Sequence, residues 1–230
     1  MTARCQIVAH TESGPLHRII RFNQRDIAVQ ARPGNEIDID GQRLPIMRSA
    51  PAAGWFECLY LTATHPALQD HTCGDQVDLS LIQEQTFRHD AAALSPLLIG
   101  EGLGLAPILF LSLTLATEKP VVLLGSHDHF PFRPHPSRLL LPHLPGNVIA
   151  TMPLLEERKI ACRLAHSQGG PGCFEGDVVA LATTWLTGCS EQQRNKAKLY
   201  ACGEHPRLAE TTRELAERFG LPLQYLELNR

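Results

Sequence analysis

The stretch LLIGEGLGLAPILFL, residues 97–111, joins a short apolar run to a longer one through Gly100, Gly102, Gly104 and Pro107. Where a strand turns into a helix, glycines let backbone amides approach a pyrophosphate closely, and the helix N-terminus favours the negative charge. Pro107 has no amide hydrogen to leave unpaired and suits the first turn of such a helix. The spacing is GxGxxP, not the GxGxxG of the dinucleotide fingerprint, so tight strand–helix packing explains the same glycines nearly as well.

Three further segments carry candidate chemistry. In LYACGEHP, residues 199–206, Cys202 and Gly203 close a strand just before a helix and so face the same crevice as Gly102 and Gly104. As a residue type, Cys202 reads first as a small buried side chain and second as a reactive thiol. Gly125-Ser126-His127-Asp128 closes another strand, where an adenosine ribose would be read. His127, Asp128, His129, His135 and His143 lie in HDHFPFRPHPSRLLLPHLP, residues 127–145, without a recognised metal-ligand spacing, and a solvated loop is the better reading. Gly169-Gly170-Pro171-Gly172 reads as a flexible lead-in to a helix rather than an anion site.

Composition excludes other classes. The chain has 230 residues, 43% hydrophobic and 20% charged, with a formal net charge of −3. It can build a real core but has no basic footprint for nucleic acid. Seven cysteines are scattered without a CxxC pair, and MTARCQIVAH lacks a signal peptide's apolar run, so the reducing cytoplasm is expected. The one apolar stretch near membrane length, residues 97–116, contains Glu101, glycines and Pro107, and is expected to be buried in protein.

The elements that must position these groups fall into two halves. Gln6–Ala9, Arg18–Phe22, Glu36–Ile39, Trp55–Leu61 and Gln76–Ser80 are short, often alternating segments separated by turn signals, which predicts a small antiparallel barrel without helices over residues 1–93. From residue 94 to 230 the rhythm becomes strand, helix, strand. Leu97–Ile99, Val121–Gly125, Asn147–Ala150, Lys198–Cys202 and Leu221–Leu228 read as strands, and 107–116, Gly176–Leu186 and 206–219 as helices. This predicts a parallel sheet covered on both faces. The 206–219 helix is the clearest element, with Leu208, Thr212, Leu215, Ala216 and Phe219 on one face and Gly220 then Pro222 ending it.

The order of a β-barrel, LLIGEGLGLAP, VVLLGS and LYACGEHPRLAE resembles the ferredoxin reductase-like flavoproteins. RCQIVAH, ARPG and FGLPLQYLEL look most like the electron-transfer subunit of dihydroorotate dehydrogenase. The resemblance covers nearly the whole chain. It implies FAD on the barrel, NAD(P)H on the second half, hydride transfer between the two rings, and electrons passed to a redox partner protein, with no membrane and no nucleic acid involved. It implies that Cys202-Gly203 lies beside the nicotinamide, that Gly100, Gly102, Gly104 and Pro107 support the pyrophosphate, and that Gly125 and Ser126 face the adenosine. Asp128 there would repel a 2′-phosphate, so NAD is favoured over NADP.

Departures from the family qualify this. Its flavin motif, Arg-x-Tyr/Ile-Ser/Thr with proline often second, aligns with Leu44-Pro45-Ile46-Met47. Pro45 and Ile46 match, but the arginine and the hydroxyl are missing, and Arg43 or Arg48 would stand in only from the opposite face of a strand. FAD is therefore expected to bind weakly. The family's downstream glycine-threonine turn is replaced by Thr62-Ala63-Thr64-His65-Pro66, and the dihydroorotate dehydrogenase subunit's C-terminal cysteines have no counterpart, so no iron–sulfur cluster is expected. The alternative function is a reductase fold without tight FAD binding that senses a nucleotide or binds a protein.

Overall fold

The computed structural model describes residues 2–89 and 95–228. Six strands, β1 (Thr2–Ser13), β2 (His17–Asn23), β3 (Glu36–Ile39), β4 (Gln42–Ala50), β5 (Trp55–Leu61) and β6 (Gln76–Ile82), close into an antiparallel barrel in the order β1-β2-β5-β4-β3-β6. Alternation drives closure. In β6, Val77 and Leu79 point inward while Gln76 and Asp78 face solvent, and the inward sets of all strands meet in one core containing Ile7, Ile20, Phe22, Leu44, Ile46 and Phe56. The expectation of a barrel without helices needs correction: α1 (Arg25–Gln30) links β2 to β3, started by Gln24, whose side-chain oxygen accepts from the Asp26 amide at 2.8 Å.

β4 carries a proline inside the strand. The register shows how Pro45 is tolerated. Residues 42–45 pair with β3, and residues 46–50 pair with β5, with an irregularity between Ile46 and Arg48. Pro45 therefore stands where the strand changes partners, one place where a missing amide leaves no gap in the ladder.

The second half is a six-stranded sheet. β7 (Ser95–Glu101) leads through a 3-10 turn at Gly102–Gly104 into α2 (Leu105–Thr114), and then come β8 (Val121–Ser126), the two-residue pair β9 (His135–Pro136) and β10 (Ala150–Thr151), and α3 (Pro153–Glu157). β11 (Ala161–His166), β12 (Phe174–Glu175), α4 (Val178–Gly188), α5 (Glu191–Arg194), β13 (Ala197–Gly203), α6 (Pro206–Phe219) and β14 (Leu223–Glu227) complete the chain. The sheet order is β12-β11-β8-β7-β13-β14, and its registered pairs are parallel. Its central strands are buried on both faces, as a helix-covered parallel sheet requires.

One expected strand is corrected. Of Asn147–Ala150 only Ala150 joins a ladder, the small β9–β10 pair, and the third long strand of the sheet is β11. Arg163 hid β11 by interrupting its apolar run. That side chain is buried because its guanidinium donates to the carbonyls of Val148 (2.9 Å), Cys162 (2.7 Å) and Leu139 (2.7 Å), which also pins the 139–148 segment to the sheet.

Met47 and Leu59 of the barrel share one apolar cluster with Leu105, Ile108 and Leu109 of α2 and with Tyr200 and Cys202 of β13. Residues 97–116 are thus a strand and a buried helix, and among the described residues no helix is long and apolar enough to cross a membrane. The boundary expected at residues 93 and 94 lies outside the described residues.

Candidate functional site

Counted in chain order among the long parallel strands, β7 is first and β13 fourth, yet they are neighbours. The winding of the sheet reverses between them, and such a switch point opens a crevice beyond the strands' carboxyl ends. The residues that leave the sheet there are Glu101 and Gly102 from β7, and Gly203 and Glu204 from β13. Gly102 has φ +58°, left-handed backbone that glycine adopts freely, and its turn aims the Leu103 amide across the crevice, where it donates to Glu204 Oε1 at 2.7 Å.

Two cavities meet at this hydrogen bond. The crevice cavity, about 170 Å³, is lined by Gly102, Gly125, Ser126, His127 and Glu204, with His17 reaching in from the barrel. The barrel cavity, about 670 Å³, lies on the other side and is lined by Arg43, Pro45, His65, Leu103, Glu204 and Leu228. Glu204 lines both. Only the second has the volume usual for a small-molecule site, about 300–1,000 Å³.

The crevice is rich in titratable groups. His127 Nε2 lies 3.0 Å from Glu101 Oε1, a carboxylate whose side chain is only 12% exposed. Burial pushes the Glu101 carboxyl above its ordinary range, His127 draws it back and Asp177 adds to the rise. Burial lowers His17, while the Glu204 charge opposes that effect and His129 adds to it. No lysine or arginine lines this cavity among the described residues, and Arg207 lines an adjoining one that shares Glu101, His127 and His205.

The expected site residues divide cleanly. Gly102, Gly125 and Ser126 line the crevice, and Pro45 lines the barrel cavity. The others stand behind these surfaces. A Cβ on Gly104 would overlap the Cys202 carbonyl, one on Gly203 would overlap Leu208, and one on Gly100 would press on α2 at 3.2 Å. Pro107 is buried in α2, and Ile46 fills the barrel interior. Cys202 is fully buried in the shared core and lines neither cavity. Burial holds its thiol well above the ordinary cysteine range, with the charges of Glu36 and Glu204 adding to the effect. It is not poised as a nucleophile.

The expectation that Arg43 lies on the face of β4 away from the flavin side needs correction. Leu44 points into the barrel core at 0% exposure, and the residues of β4 that line the cavity are Gln42, Arg43 and Pro45. An arginine is therefore present, but it is engaged: Arg43 forks onto Glu84 with Nη1–Oε2 2.9 Å and Nη2–Oε1 3.2 Å, and Glu36 lies 3.9 Å away. Arg48 is not at the site, since it donates to the buried Glu57. The cavity's volume and its Pro45, Leu103 and Leu228 walls suit a flavin ring. Its charges do not suit a pyrophosphate, because Glu36, Glu84 and Glu204 outnumber one guanidinium. Glu36 and Glu84 escaped sequence reading because single charged residues on separate strands and loops leave no spacing signature.

By sequence, no protein-family model and no curated protein matches the chain. By structure, the ferredoxin reductase in carbazole 1,9a-dioxygenase superposes with TM-score 0.72 at 15% identity, over 99% of this chain and 69% of that one. The fold is that of the ferredoxin reductases. The NADH-dependent reduced ferredoxin-NADP oxidoreductase (TM-score 0.70, 18% identity, 99% of this chain and 76% of that one) has this ferredoxin reductase fold. So has phthalate dioxygenase reductase, which transfers electrons from pyridine nucleotides to [2Fe-2S] (0.66, 15%, 97% and 68%). Among the described residues, no group of three or more His, Cys, Asp or Glu side chains is arranged to hold a metal ion.

Proposed function

We propose that the chain is an NAD(P)H-dependent flavin oxidoreductase of the electron-transfer type, with the nicotinamide nucleotide in the crevice and a flavin in the barrel cavity. The observation that carries this reading is the contiguity of the two cavities at Gly102, Leu103 and Glu204. Two rings entering from opposite sides would meet there. A bound flavin supplies the hydride acceptor, and hydride transfer needs no general base from the protein.

The residues of the chain then do three things. Bare backbone at Gly102 admits the nucleotide, Gly125 lets β8 pack against Val178 of α4, and Ser126 and Asp128 at the end of β8 favour a ribose diol over a 2′-phosphate, hence NADH over NADPH. Pro45, Leu103 and Leu228 form the apolar wall that shields the flavin ring. Gly100, Gly104, Gly203 and the buried Cys202 hold the two strand ends close, so that the junction keeps its shape.

FAD is held weakly, because its pyrophosphate would meet Glu36, Glu84 and Glu204 with one committed arginine. Electrons pass on to a redox partner protein. RCQIVAH, ARPG and FGLPLQYLEL resemble the dihydroorotate dehydrogenase electron-transfer subunit and support a role of that kind.

Purified protein mixed with NADH and added FAD, FMN or riboflavin tests the reading. It requires nucleotide oxidation proportional to protein with at least one flavin. Oxidation no faster than in a protein-free mixture, with all three flavins and with NADPH in place of NADH, would refute it.

A further inference from the structure

We infer that Glu204 gates the passage between the two cavities and sets the threshold for nucleotide binding, by holding the Leu103 amide that an incoming ligand acceptor would take. This rests on the function proposed above and adds a specificity-determining residue to it.

The geometry supports it at three points. Gly102 has the left-handed φ of +58° that turns the following amide toward the crevice. That amide, Leu103 N, donates to Glu204 Oε1 at 2.7 Å, a length typical of a charge-assisted bond from a neutral donor to a carboxylate. Glu204 also crowds Gly102 itself, since a Cβ built there would lie 3.3 Å from Oε1. The carboxylate therefore sits over the turn where an oxygen of the nicotinamide end of a dinucleotide, at the crevice's junction with the barrel cavity, would find its donor.

The consequence is competition. A ligand that reaches Leu103 N must displace Glu204, and the displaced carboxylate stays beside a crevice that already carries Glu101 and Asp128. Dinucleotide phosphates enter against that charge, so both the lost hydrogen bond and the added repulsion lower affinity. A gate of this kind favours ligands whose leading end is neutral or cationic, and the nicotinamide ring meets that condition while free phosphate does not.

Calorimetric titration of NADH into wild type, Glu204→Gln and Glu204→Ala separates the contributions. Gln keeps an acceptor over Leu103 N without the charge, and Ala vacates the position. We expect Ala to bind at least about tenfold more tightly than wild type, with Gln in between. The Leu103 amide resonance of the wild type should move during the titration, a readout that needs no variant to fold. Equal NADH affinity in wild type and Ala, or weaker binding in Ala, would overturn the gate while leaving the proposed function standing. Absence of nicotinamide nucleotide binding by all three proteins at millimolar concentration would overturn the proposed function and the gate together.

Discussion

Gly104 and Cys202 meet backbone to backbone: a side chain on the glycine would run into the cysteine's carbonyl oxygen. The turn before α2 is thus pressed onto β13, and this contact brings the ends of β7 and β13 close enough for Glu204 to reach the Leu103 amide. Gly104→Val should destabilise the protein by about 1–3 kcal/mol or more through overpacking, lowering the thermal midpoint by roughly 2–4 °C per kcal/mol. Gly102→Val meets only the flexible Glu204 carboxylate and strained backbone of about 1–2 kcal/mol, so it should weaken NADH binding more than Gly104→Val does in material that remains folded. NADH affinity unchanged in folded Gly102→Val would show that Gly102 does not face the ligand.

Leu44 and Arg43 supply a paired test of the barrel cavity. Leu44→Arg buries an unpaired charge in the barrel core and should unfold or severely destabilise the protein without improving flavin binding. Glu84 is 60% exposed, and Glu84→Gln weakens the fork that engages Arg43. Flavin fluorescence titration should then show FAD binding several-fold more tightly, with riboflavin, which has no phosphate, unaffected. An equal gain for both ligands would place the effect away from the pyrophosphate.

The barrel and the parallel sheet were legible because alternation in β1, β2 and β6 and double-sided burial in β7, β8 and β13 follow from local patterns. β11 was not, because Arg163 capped by three carbonyls is tolerated only through tertiary contacts. At the site, the glycine-rich turn could be found, but not which glycine faces ligand and which faces Cys202. That distinction depends on how closely two segments about a hundred residues apart approach. That Arg43 faces the cavity was hidden for a similar reason: only the pleat of β4 decides that Arg43 and Pro45 look outward while Leu44 looks in.

Glu36 links the cavity's charge to stability. Burial raises its pKa, Arg43 opposes the rise and Glu84 adds to it. A carboxyl that holds its proton more tightly in the folded state contributes stability below its unfolded pKa, about 4.3, and loses it as pH rises through the raised folded value. Glu36→Gln should therefore raise the thermal midpoint near neutral pH, with Arg43 still paired to Glu84, and the gain should vanish near pH 4. A midpoint that falls at neutral pH would mean that the Arg43 contact outweighs the burial.

Cysteine reactivity checks the placement of Cys202. Cys73 is exposed, whereas Cys202 is fully buried with its thiol raised. Native protein treated with an alkylating reagent near neutral pH should be modified at Cys73 and spared at Cys202, as read by peptide mass spectrometry. Modification of Cys202 as fast as Cys73 would show that the crevice opens further than this packing allows.

If the crevice presents one face of a nicotinamide ring to a flavin across the Gly102–Leu103–Glu204 junction, hydride transfer is stereospecific. Stereospecifically deuterated NADH, labelled at one or the other C4 position and used with added flavin, measures this directly. A ring held in one orientation gives a primary isotope effect, and deuterium transfer, for one label only. Equal isotope effects for both labels, at a rate no greater than in a protein-free mixture, would contradict such an arrangement of the two rings.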